Sequence, residues 1–206
     1  TRRLTAAAGR SLTPDQADVL RERTDGWAPG IYLATLVGTG STDPSRATVM
    51  VSGNEPAIAD YLRSELLSSL GDEDRVFLTR SSILEVVEPS VAEAVTGMPG
   101  AAERLRSLAR ENRLVTPLAG GAPSYRYHQI LSEYLRAELD RREPGAAAKL
   151  HRRAATWFER AGRVEAAIDH ALAGADEATA ARLVLAITLS MHYAGHTDLL
   201  DRWIRA

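Results

Sequence analysis

The 206-residue sequence contains no cysteine, so disulfide staples and thiolate metal sites are excluded. No apolar run approaches the roughly 20 residues of a membrane-spanning helix. No secretory leader opens the chain. The expectation is a cytoplasmic location and no membrane partner. Charge of one sign is also lacking: the formal net charge is −2, with 25 Lys+Arg against 27 Asp+Glu. That balance argues against a dedicated nucleic-acid binder and leaves room only for a local basic patch. Nowhere is there a G-x-x-x-x-G-K-[ST] phosphate loop or a G-x-S-x-G nucleophile turn. No enzyme motif is present, and no catalytic residue is assigned.

Aromatic residues are only 5%. Ala, Leu, Arg and Glu dominate instead, and these residues favour helix. Thr13, Pro14 and Gln16 in "LTPDQADVL" form a helix start, with a cap, a proline at the first position and a capping box. A helix from Pro14 to about Arg23 and another through "IYLATLVG" are predicted. "GTGSTDPSRAT" is a polar linker. In "EPAIADYLRSELLSSL", Ile58, Tyr61, Leu62, Leu66 and Leu70 lie on one helical stripe, which Gly71 ends. "DEDRVFLTRSSIL" has acidic residues in its first turn, as the helix dipole favours. "PSVAEAVTG" and "AAERLRSLAREN" continue the helical series, the latter turning Leu105, Leu108 and Ala109 inward. "RLVTPLAGGAPSYRYHQ" is two short extended runs about a glycine turn, a hairpin. A helix from Ile130 to about Arg142 follows. Three helices, a hairpin and a helix over roughly 72–142 make a winged-helix pattern.

"REPG" at 142–145 is a boundary. Beyond it Leu150, Ala154, Trp157, Phe158 and Ala161 form one helical face. Val164, Ala167, Ile168, Ala171 and Leu172 form the next. "GADEATAARLVLAI" and "TDLLDRWIRA" begin two more helices. Paired short helices with glycine turns fit a tetratricopeptide-like solenoid. The fold class is therefore mainly α: a helical lid, a winged helix with a small β-hairpin, then the start of a solenoid. The expected division is 1–48 lid, 49–143 connecting helix and winged helix, and 144–206 helical repeat.

In this order, "TDGWAPGIYLATL", "IADYLRSELL", "FLTRSSIL", "ENRLVTPL", "YRYHQILSEYLRAEL" and "LHRRAATWFERAGRVEAAIDHALAGAD" resemble the central part of the MalT-like large ATP-dependent LuxR-type transcription regulators of the STAND class. The resemblance covers nearly the whole chain. It implies an ATPase module before this region, a helical-repeat sensor in and after it, and a helix-turn-helix beyond. On that view the chain is a regulatory middle that couples nucleotide state and inducer sensing to transcription. ATP or ADP is the implied cofactor and is not expected to bind this region tightly alone. The implied partners are its own ATPase and helix-turn-helix domains, a small-molecule or protein inducer, and DNA only through that further domain.

The resemblance also nominates nucleotide-facing residues. In relatives of this class a winged-helix histidine touches the β-phosphate of ADP, and His128 in "YRYHQIL" occupies the matching place. A helix start adds unpaired N–H groups there. On this reading the ring finds no partner within the chain. The other reading is that His128 caps the helix or packs on the wing. In "GWAPGIYLA", Trp27, Pro29, Gly30 and Tyr32 stand beside the adenine position. Tyr32 replaces a proline of that family pattern, and Trp27 either packs on the nucleotide or anchors the lid.

Two other function classes fit parts of the pattern. One is a winged-helix DNA-binding protein with a helical dimerisation tail, for which Arg106, Arg110 and Arg113 would line a recognition helix; the alternative for these is a solvated face. The other is a protein-binding helical scaffold. His192 and His196 have zinc-like i, i+4 spacing but no third ligand, so no metal is assigned. His151 and His170 read as structural or exposed.

Overall fold

Proline and charge punctuation set the helix starts that the sequence leads one to expect. The computed structural model describes residues 52–53, 55–111 and 115–193, with Thr13, Asp18, Arg21, Ile31, Arg202 and Trp203 as isolated positions. The two lid helices and their candidate residues Trp27, Pro29, Gly30 and Tyr32 lie outside the described residues. Ile31 is the exception, fully buried in the main core.

Helix α1 (Pro56–Tyr61) has proline in its first turn and widens into a π-helical segment over Leu62–Leu67. The predicted single α-helix to Leu70 is thereby corrected. Ile58, Leu62 and Leu70 of the expected stripe are buried, joined by Leu67, and Tyr61 is half-buried; the side chain of Leu66 lies outside the described residues. Helix α2 (Asp72–Ser81) carries Asp72, Glu73 and Asp74 in its first turn. Helix α3 (Pro89–Thr96) ends on Gly97 in the left-handed conformation, φ 72°, where glycine avoids the Cβ penalty. Helix α4 (Ala101–Glu111) buries Leu105 and Leu108.

Strands β1 (Val115–Pro117) and β2 (Tyr125–Tyr127) pair antiparallel, with Val115 opposite Tyr127. Val87 adds a bridge on the other side of Tyr125, exchanging hydrogen bonds of 2.8 and 3.0 Å. In β2 the two tyrosines point inward and Arg126 outward, the period-two pattern of a half-buried strand. Helix α5 (Gln129–Arg142) then buries Ile130, Leu131, Tyr134, Leu135 and Leu139. This is a winged helix with α2, α3 and α4, the wing, and α5 behind it.

Helices α6 (Ala146–Arg160), α7 (Val164–Ala173) and α8 (Glu177–Tyr193) follow. Helices α6 and α7 form an antiparallel hairpin around Gly162, which has φ 73°. The predicted faces hold, except that Ala161 is exposed because it stands at the helix C-cap. Helix α6 also packs on α3 of the winged helix. Leu150, Ala154 and Phe158 share one continuous apolar cluster with Val91, Val95 and Leu105. Among the described residues no helix is long and apolar enough to cross a membrane.

Candidate functional site

His128 is the N-cap of α5, with extended backbone at φ −53° and ψ 139°. Its Nδ1 accepts a hydrogen bond from the Ile130 backbone N–H at 3.3 Å. One of the four unpaired N–H groups at the helix start is thereby satisfied. The residue is only 9% exposed. The expectation that the ring finds no partner in this chain is therefore corrected: it caps its own helix. An N-cap has to leave helical backbone while a side-chain acceptor turns back, and a strand–helix junction supplies that geometry. Because Nδ1 accepts, the proton of a neutral ring sits on Nε2.

The linker preceding α1 reaches the same turn of α5. Gly53 N–H donates to Glu133 Oε2 at 2.9 Å. A Cβ at position 53 would lie 2.1 Å from the Ile130 carbonyl oxygen and 2.7 Å from the Tyr134 nitrogen. Both are helix backbone, so only glycine allows this approach. Glu133 also accepts from Gln129 Nε2 at 3.0 Å. Linker, helix start and wing thus meet within one turn.

The wing is held by a buried polar pair. Tyr127 Oη and Ser81 Oγ lie 2.7 Å apart, and Ser81 Oγ donates to the Phe77 carbonyl at 2.6 Å. Burial pushes the Tyr127 hydroxyl well above its ordinary range, so it stays protonated. At the far end of α5, Glu138 is buried at 6% exposure and accepts from Arg141 and Arg142. Burial alone would raise its pKa, but those two guanidinium groups outweigh burial and hold it below the ordinary carboxylate value.

Arg106 and Arg110 are exposed on α4, and Arg113 lies outside the described residues. The arginine of α4 that does structural work is Arg104, which the sequence pattern did not single out. It pairs with Asp74 and, at 3.3 Å, with Glu73, and stands 5.6 Å from the Phe77 ring centroid. The side chain of His192 and the whole of His196 lie outside the described residues. Among the described residues no cluster of His, Asp and Glu could hold a metal ion.

His151 and His170 come together, which sequence reasoning missed. Their Nδ1 atoms lie 2.8 Å apart. His170 stacks on Phe158 at 5.2 Å and 10°. Burial, followed by the neighbouring His151, lowers His170 to a pKa of about 4. Burial and then Arg136 lower His151. A signal was available: the two residues stand on the apolar-rich sides of two helices joined at Gly162.

As for a nucleotide, the residues described here do not make a whole site. His128 uses its Nδ1 for the cap of its own helix, and the sequence carries no phosphate loop to cradle a nucleotide.

Residues 63–147 match the model of the MalT winged helix domain. Along 88% of its length the chain is 32% identical to serine/threonine-protein kinase PknK of Mycobacterium tuberculosis, covering 16% of that protein. It is 27% identical to the HTH-type transcriptional regulator MalT of Vibrio cholerae over 90% of its length, and 26% identical to that of Serratia proteamaculans over 91%; each time it covers 21% of the relative. The chain therefore spans less than a quarter of the length of these curated relatives. The family match falls on the helices and wing described above: residues 63–147 are a winged helix of the MalT type, and the chain around them is similar to MalT regulators along about nine-tenths of its length.

Proposed function

We propose that this chain is the regulatory middle of a LuxR/MalT-type transcription regulator, coupling nucleotide state and inducer sensing to transcription without catalysis of its own. The observation that carries this reading is the packing of α6 on α3. There the Arg153 guanidinium donates to the Val95 carbonyl at 3.1 Å, and both helices share one apolar cluster. A displacement of the repeat is then felt by the winged helix, because a close-packed interface shifts as a unit. The kind of relative supports it too. One stretch is shared with a protein named as a kinase and with proteins named as HTH-type regulators. The sequence here has neither the D-F-G nor the H-R-D of a kinase. A stretch common to two outputs is suited to relaying a signal.

On this reading ATP or ADP is held mainly by an ATPase module, with His128 Nε2–H donating to a phosphate and Trp27, Pro29, Gly30 and Tyr32 on the adenine side. DNA is met only through a helix-turn-helix domain, and the location is cytoplasmic. His128→Asn tests the nucleotide part. Asparagine keeps an N-cap acceptor but loses the ring N–H. In the natural polypeptide containing this segment, His128→Asn is expected to weaken ADP about ten-fold or more, the loss of a charge-assisted hydrogen bond. Unchanged ADP affinity would leave His128 as a helix cap alone.

A further inference from the structure

The seam between the winged helix and the first helical hairpin opens into a cleft of about 380 Å³. The α2–α3 loop, α5, α6 and α7 all line it. A second hollow of about 240 Å³ adjoins it and shares Ile83, Arg136 and His151. Volumes of this size are those of small-molecule sites.

The charges in the cleft are unequally satisfied. Arg163 is paired with Glu88. Asp169 accepts from Arg202 at 2.9 Å and from the Trp203 ring N–H at 2.8 Å. Arg136 is different. Its Nε donates to the Ser82 carbonyl at 2.8 Å, which fixes the guanidinium plane, and no carboxylate among the described residues is within ion-pair distance of it. An oriented guanidinium fork matches a carboxylate in two parallel hydrogen bonds. Beside it stands the His151–His170 pair. In the neutral pair one ring uses its Nδ1–H as donor to the other, so one Nε2–H remains to donate. Ile83, Leu84 and Phe158, at 6%, 2% and 4% exposure, form an apolar floor. Glu85 lines the same cleft, exposed and without an ion-pair partner among the described residues. Its charge disfavours a dianion.

We propose that this cleft binds a small apolar monocarboxylate, its carboxylate on Arg136 and the remaining Nε2–H of the His151–His170 pair and its body against Ile83, Leu84 and Phe158. Such a ligand touches both sides of the seam and thereby fixes the winged helix against the repeat. The inference rests on the cleft alone and not on the nucleotide reading.

The test uses the 206-residue chain with benzoate, benzamide and phenyl phosphate as probes. Binding is followed by calorimetry and by the ring C–H resonances of His151 and His170. Benzoate is expected to shift both histidines and to bind with a Kd of about 1–10 mM, as a probe of few atoms allows. Benzamide, lacking the charge, should bind at least ten-fold more weakly, and phenyl phosphate more weakly than benzoate. Arg136→Gln should abolish benzoate binding. Ala166→Phe, which fills the cleft and leaves the Arg136–Ser82 bond in place, should do the same if Arg136→Gln proves unfolded by circular dichroism. Benzoate that binds no better than benzamide, a preference for phenyl phosphate, unmoved histidines, or undiminished binding in a folded variant would each overturn the proposal.

Discussion

Replacing His128 by alanine in the 206-residue chain removes the Nδ1 acceptor of the Ile130 N–H and a ring that is nine-tenths buried. Loss of an N-cap costs about 1 kcal/mol. The emptied space adds about 1–2 kcal/mol, a modest core truncation. The effect is amplified by position, because the first two turns of α5 carry Ile130, Leu131, Tyr134 and Leu135, all buried, in a helix that packs on α2 and α6. The expected total is about 2–3 kcal/mol, or a melting temperature lower by about 5–10 °C in a chain of this size. His128→Asn separates the contributions. It restores a short side-chain acceptor at the N-cap, so it should recover about 1 kcal/mol over alanine. Urea denaturation followed by circular dichroism at pH 7.5 measures both. If His128→Ala stays within about 0.5 kcal/mol of the parent, below any cap loss, the observed hydrogen bond does not stabilise the fold. If asparagine is no better than alanine, the loss comes from packing and the capping argument fails.

Gly53→Ala should lift the linker from α5, since both obstructing atoms are backbone. The Gly53–Glu133 hydrogen bond is then lost, at about 1.5–3 kcal/mol for a charged acceptor, and hydrogen exchange at residue 53 should accelerate; unchanged exchange would refute the close approach. Ser81→Ala should destabilise more than Tyr127→Phe, because it strands a buried phenol hydroxyl at about 1–3 kcal/mol, whereas the phenylalanine variant leaves Ser81 donating to Phe77; equal losses in urea melts would contradict this. Acid should loosen the α6–α7 hairpin. His170 titrates at about 4 when folded against 6.5 ordinarily, so the unfolded chain takes its proton first. Its contribution is complete above pH 6.5 and is lost as pH falls through 4. That is about 3 kcal/mol for a shielded ring and about 1–2 kcal/mol with the cleft open to solvent. His170→Phe should flatten the melting temperature between pH 4.5 and 6.5, and an unaltered slope would refute the assignment.

Much of the winged helix was legible because its signals are local. Pro89 and Gly97 bracket α3, and Gly162 divides α6 from α7, through backbone preferences that need no neighbours. The inward stripes of α4 and α7 follow from helical period alone. The alternation of Tyr125, Arg126 and Tyr127 marks a half-buried strand. The candidate site was less legible. His128 could be placed at a strand–helix junction, but whether its ring turned back to Ile130 depended on the backbone angles of that residue.

What the sequence by itself determined is the order and type of elements and the place of the histidine between strand and helix, since these follow from residue spacing and the conformational limits of proline and glycine. What only the tertiary structure decided are the pairings between residues far apart in the chain. Gly53 meets Ile130 and Glu133. Arg104, rather than Arg106 or Arg110, reaches Asp74 and Glu73. His151 meets His170 across a hairpin, beside an Arg136 oriented by Ser82. Such contacts depend on how helices cross and which rotamers survive packing, and a 3.6-residue period constrains neither.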